Sequence, residues 1–124
     1  MRGLTDDDDD ALLDRGQIAE LRQVFDAVQW IDLIETFAES AHDELAALHD
    51  ALAAGRSHAA PAHALKGMAL NVGARRVGAI GRALEAASPA EVPRLCAAIE
   101  GAIAETLRAM LADVTVPEPE PCGV

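Results

Sequence analysis

The chain has 124 residues, of which 51% are hydrophobic, and a formal net charge of −11. That is one domain with enough apolar material for a single core that needs no staples. The acidic balance and the lack of aromatic interleaving among the few basic residues argue against nucleic acid. No apolar run is long enough to cross a bilayer, and the N-terminus opens acidic, without a basic-then-apolar leader, so a soluble, cytoplasmic monomer with no membrane association is expected.

Along the chain, Asp6 to Asp10 is a self-repelling run, and residues 1–13 read as a disordered acidic tail. The first helical stretch runs from about Asp14 to Asp26, with Ile18, Leu21 and Phe25 on one side. The second and longest runs from about Val28 to Ala54. Its apolar positions, Trp30, Leu33, Ile34, Phe37, Ala41, Leu45, Leu48 and Leu52, keep a three/four spacing, and Gly55 ends it. The third starts between Ser57 and Pro61, because proline is tolerated only in a first turn, and runs to about Asn71. Asn71-Val72-Gly73 then supplies a left-handed cap and turn. The fourth covers about Ala74 to Ala87, with Val77, Ile80, Gly81 and Leu84 inward. Ser88-Pro89 breaks the chain and starts the fifth, with Ser88 as cap and Glu91 three residues on. Its face is Val92, Leu95, Cys96, Ile99, Ile103, Leu107 and Met110. Residues 113–124, with Pro117-Glu118-Pro119-Glu120-Pro121, read as a flexible tail.

No stretch alternates with period two, and β-branched residues are sparse. Short connections between long helices imply antiparallel neighbours. The expected fold is therefore all-α: an up-and-down antiparallel four-helix bundle with an additional N-terminal helix, over residues 14–112.

Most of the net charge lies in the tails: residues 1–14 carry −5, residues 113–124 carry −3, and the body carries −3. Within the body the charges segregate. Acids dominate from Glu20 to Asp50, whereas Ala51 to Leu84 contains no acid but holds Arg56, Lys66, Arg75, Arg76 and Arg82. This matches either chance segregation on solvated faces or a surface fitted to an acidic partner or a phosphoryl group. Cys96 falls on an apolar face and reads as a small core residue. Cys122 lies in the Pro-rich tail as a free thiol, so no disulfide framework is expected.

His63, Lys66 and Gly67 share one stripe of the third helix, at spacings of three and four. An imidazole is a nucleophile able to hold a phosphoryl group, an ammonium can neutralise that charge, and a glycine leaves room for a partner. Taken alone the pattern is weak, since a lone helical histidine is more often a surface or satisfied core residue. Lys66 also reads as a snorkelling lysine, and Gly67, Gly78 and Gly81 as permitting close helix packing, the preferred reading for Gly81. His42, His49 and His58 are assigned no role. His42 and His49 lie seven apart on one face but lack further ligands, so no metal site is expected.

The run His63-Ala64-Leu65-Lys66-Gly67-Met68-Ala69-Leu70-Asn71-Val72-Gly73-Ala74, followed by Leu84-Glu85, resembles the histidine-containing phosphotransfer (HPt) domain family. The family shows His-x-Leu-Lys-Gly, then Asn-Leu-Gly-Ala, then a Leu-Glu pair near the end of the next helix. A weaker likeness extends over residues 14–112. The resemblance implies that His63 is the phosphorylated histidine, Lys66 the phosphate-stabilising cation and Gly67 the residue that clears the docking surface. It implies receiver domains of response regulators or of a hybrid histidine kinase as partners. The sequence offers no Asp/Glu cluster beside His63 to hold Mg²⁺, so the metal is expected on the receiver, with no cofactor here. The chain would be a carrier in a phosphorelay, without independent catalysis. Pro61 puts His63 nearer its helix start than is usual in the family, and Met68 stands where many members have a small polar residue. The competing reading, from another class, is a helical adaptor that binds signalling partners through its bundle surface and never carries phosphate. A hydrolase or ligand-binding bundle ranks third, because no serine, cysteine or paired carboxylate forms a constellation.

Overall fold

The computed structural model describes residues 11–115, with side chains to residue 112. The aspartate run Asp6 to Asp10, the Pro-Glu segment and Cys122 lie outside the described residues. Five helices follow in order: α1 (Arg15–Val24), α2 (Ala27–Ala54), α3 (Ala59–Val72), α4 (Arg75–Ala86) and α5 (Val92–Thr115). Helices α2 to α5 each pack on the next, and α5 closes the ring on α2, while α1 lies against α3. This is the expected four-helix bundle with one helix added at the N-terminus.

Local chemistry sets the ends of the helices. Phe25 is extended, and Asp26 starts α2 through a capping box. The Asp26 side chain accepts from the Gln29 N–H at 2.8 Å, and the Gln29 side chain accepts from the Asp26 N–H at 2.9 Å. The first helix therefore stops at Val24, short of Asp26. Gly55 and Gly73 close α2 and α3 in the left-handed region, at φ 68° and 82°, as the sequence predicts. The expected helix start at Ser88-Pro89 is corrected: residues 88–91 lie outside the helix, and α5 begins at Val92. There the Glu91 N–H donates to the Ser88 carbonyl and the Val92 N–H to the Pro89 carbonyl, an i to i+3 pattern tighter than α-helix. Only the return half of a capping box forms, with the Glu91 carboxylate accepting from the Ser88 N–H at 3.1 Å.

The core is assembled from helical faces at three/four spacing. Trp30, Ile34, Phe37, Ala41 and Leu48 of α2 meet Ala62, Leu65, Ala69 and Val72 of α3, Val77 and Leu84 of α4, and Val92, Cys96, Ile99 and Met110 of α5. Burial pushes the Cys96 thiol pKa up, with Glu100 adding to the effect. Two edges differ from expectation. Leu13, which composition places in the acidic tail, is only 5% exposed, and the Arg76 N–H donates to the Leu12 carbonyl, so the packed unit includes both leucines. At the other end α5 continues past residue 112 to Thr115.

The α3–α4 seam is made of small residues. A Cβ placed on Gly81 would lie 3.1 Å from the N, Cα and Cβ of Lys66, and one on Gly78 would lie 2.8 Å from Leu70 Cδ2. The two helices touch almost backbone to backbone, which fixes what α4 can present to the side chains of α3.

Candidate functional site

Helix α3 buries Ala62, Leu65, Ala69 and Val72 on one side, so His63 and Gly67 face away from the core. The helix begins at Ala59, with His58 as N-cap and Pro61 in its first turn. His63 is therefore only one turn in, as Pro61 requires. Its side chain is 70% exposed.

Gly81 brings α4 against Lys66, and one further turn of α4 brings Glu85 up to His63. One Glu85 oxygen, Oε2, lies 2.6 Å from His63 Nδ1, and the other, Oε1, lies 2.7 Å from Lys66 Nζ. A single carboxylate thus holds both residues of the His-x-x-Lys pair. The Lys66 hydrogen bond, followed by that of His63, holds the Glu85 carboxyl below its ordinary value, against a smaller opposing effect of burial. An ionised carboxylate only accepts, so the proton shared with it belongs to Nδ1. In the neutral imidazole that leaves the lone pair on Nε2. In that state Nε2 is the ring nitrogen able to act as a nucleophile.

Glu85 is the residue to which sequence reasoning gives no role. The Leu84-Glu85 pair is visible in the sequence, as is the fact that Glu85 is the first acid after the acid-free stretch from Ala51 to Leu84. Its place beside His63 depends on the tight α3–α4 contact. The expectation that no carboxylate cluster surrounds His63 therefore needs one amendment, because one carboxylate is there. Among the described residues no group of three metal-ligating side chains forms.

Lys66 is not a free surface cation: its side chain is 23% exposed and bound to Glu85. Gly67 faces open space, for a Cβ built on it meets nothing within 4 Å. Core packing therefore does not account for Gly67, whereas it does account for Gly78 and Gly81. Met68 points to the other flank of α3, into a mostly apolar hollow shared with Leu33, Phe37 and Val72. The basic segment is partly spoken for, since Arg75 pairs with Asp14 at 3.4 Å and Arg76 with Glu105 at 3.1 Å. Of the other histidines, His42 is exposed on α2, His49 pairs with Glu100 across α2 and α5, and His58 stands at the N-cap position of α3 without a side-chain cap bond.

No helix among the described residues is long and apolar enough to cross a membrane. A family model described as the Hpt domain matches residues 32–115. The comparison with curated proteins and that with solved structures each return no match.

Proposed function

The chain belongs to the Hpt domain family, whose function is phosphotransfer in two-component signalling, and from that premise we propose that it carries the phosphoryl group on Nε2 of His63. The observation that supports this reading is the Glu85 carboxylate at Nδ1, which in the neutral ring leaves the lone pair on Nε2.

The chemistry follows from that arrangement. Nε2 attacks the phosphorus of a receiver's aspartyl phosphate in line; the N–P bond forms as the P–O bond to the aspartate breaks, and the carboxylate leaves. The ring gains positive charge as the bond forms, and the ionised Glu85 at Nδ1 offsets it. Return of the phosphoryl group to a second receiver reverses these steps. Lys66 favours the ionised form of Glu85 and lies on the same stripe as His63, where its ammonium can offset phosphoryl charge. Gly67, one turn along, leaves the approach clear for the receiver's aspartate. Transfer of this kind depends on positioning and charge neutralisation more than on covalent help. The chain then acts as a carrier, and Mg²⁺ and the acceptor carboxylate belong to the receiver domain.

The test is transfer of radiolabel from a phosphorylated receiver. Wild-type chain should take up one label that is lost in acid and kept in base, and His63→Gln should take up none while melting as the wild type does. Full labelling of His63→Gln would move the site to another residue, and an absence of labelling in the wild type would favour the adaptor reading.

A further inference from the structure

The large apolar side chains that stand exposed among the described residues are Val24, Val28, Leu70 and Leu111. A single exposed leucine is ordinary on a protein surface, so position has to decide what one means. Three of the four lie far from His63. Val28, in the first turn of α2, is about 40 Å from the Gly55 end of that helix, and Val24 closes α1 just before it. Leu111, near the end of α5, is about 28 Å from Val92. Leu70 alone shares the stripe of His63: it follows at i+7, just short of two turns and about 10 Å along α3.

Leu70 is 43% exposed and held from two sides. Its side chain lies over Gly78, where a Cβ would come within 2.8 Å of Cδ2. Its carbonyl accepts from the Gln17 side chain at 2.6 Å, so α1 pins the backbone at that point. Helix α1 precedes residues 32–115, the part of the chain that matches the family. The shallow groove beside Leu70 is lined by Gly78 and Ala79, with Arg75 and Arg82 along it.

We propose that Leu70 is the apolar anchor on which a receiver domain seats when it exchanges phosphate with His63, a proposal that rests on the phosphotransfer reading. A weak signalling contact buries about 600 Å² on each partner, a disc of about 14 Å radius. His63 stands one turn from the start of α3, so little surface lies beyond it on that side. The footprint must therefore run down the helix, over the open space at Gly67 and onto Leu70. Val24, Val28 and Leu111 fall outside it. The partner this face fits is a receiver with an exposed aliphatic or aromatic side chain about 10 Å from its aspartate, which would rest on Leu70 and against Gly78 and Ala79. Because Gly78 and Gln17 already hold Leu70, little ordering is needed on binding.

The probes are the receiver domains of the source cell, unphosphorylated for binding and phosphorylated for transfer, with phosphoramidate as a small donor that needs no docking surface. Leu70→Gln keeps an aliphatic stem over Gly78 and a helix propensity close to that of leucine, and Leu111→Gln is the control at the far end of α5. Amide NMR signals of Gly67, Leu70, Gly78 and Ala79 should shift when receiver is added to the wild-type chain. Leu70→Gln should weaken binding about five- to tenfold and raise the receiver concentration for half-maximal transfer by the same factor. Its maximal transfer rate and its labelling by phosphoramidate should match the wild type, and Leu111→Gln should change none of these. Binding by no receiver, shifts confined to the α2 flank at Leu33, Thr36 and Ser40, unchanged affinity of Leu70→Gln, or an equal loss in Leu111→Gln would each overturn the anchor. So would a loss of phosphoramidate labelling in Leu70→Gln, because Leu70 would then act through His63 or the fold. Binding that depends on Leu70, with no labelling of His63 from either donor, would leave the anchor standing and overturn the phosphotransfer reading.

Discussion

Gly67 and Gly81 should respond in opposite ways to the same substitution by alanine. Gly67 lies on α3 one turn beyond His63, and Gly81 lies on α4 against Lys66. A Cβ on Gly67 meets nothing within 4 Å, so Gly67→Ala keeps the whole gain in helix propensity, about 0.5–1 kcal/mol. A Cβ on Gly81 lies 3.1 Å from three Lys66 atoms, two of them backbone, so the helices must part by a few tenths of an ångström. Overpacking of that kind costs about 1–3 kcal/mol, which exceeds the same propensity gain and leaves Gly81→Ala destabilised by about 0.5–2 kcal/mol. With about 4 °C per kcal/mol for a domain of this size, thermal melts followed by circular dichroism should rise by about 2–4 °C for Gly67→Ala and fall for Gly81→Ala. Receiver labelling adds the functional half. Gly67→Leu should melt no lower than the wild type and lose phosphate uptake, because the side chain stands where the receiver approaches. A marked fall in melting temperature for Gly67→Leu would put Gly67 in the packing, and unchanged uptake would refute the clearance role.

Other substitutions probe the carboxylate clamp and the edges of the core. Glu85→Gln should slow phosphate uptake by about three- to tenfold, since a neutral acceptor at Nδ1 offsets the developing ring charge less well; an unchanged rate would make Glu85 a bystander. Because the Glu85 pKa is lowered from 4.5, its contribution to stability is present above that value and lost as pH falls through the lowered one. The difference in melting temperature between wild type and Glu85→Gln should accordingly be constant near neutrality and vanish in acid. Leu13→Ala should cost about 2–3 kcal/mol in urea unfolding, against almost nothing if Leu13 belonged to a solvated tail. Thr106 is fully buried and its hydroxyl has no partner among the described residues, so Thr106→Val should stabilise by about 1 kcal/mol; destabilisation would mean that the hydroxyl is satisfied.

Much of the architecture is legible in the sequence because it rests on periodicity. The three/four spacing from Trp30 to Leu48 marks one face of α2, and Gly55 and Gly73 mark helix ends because the left-handed conformation favours glycine. The misplacements have local causes. A composition dominated by five aspartates hides Leu12 and Leu13, whose placement depends on the Gly73–Arg76 turn far along the chain. Ser88-Pro89 looks like a helix start, but its carbonyls accept at i+3, which makes a turn before α5. At the site, the stripe of His63, Lys66 and Gly67 follows from spacing alone. The partner of the first two does not, because Glu85 reaches them only through the contact that Gly78 and Gly81 allow.

The most direct measurement is nitrogen-detected NMR of the chain after transfer from a receiver's aspartyl phosphate, with the histidine rings labelled. The spectrum should show a single phosphoryl group, on Nε2 of His63, with the Nδ1 proton retained and facing Glu85. A phosphoryl group on Nδ1 of His63, on His42, His49 or His58, or on no histidine at all would contradict the assignment of His63 Nε2 as the carrier atom.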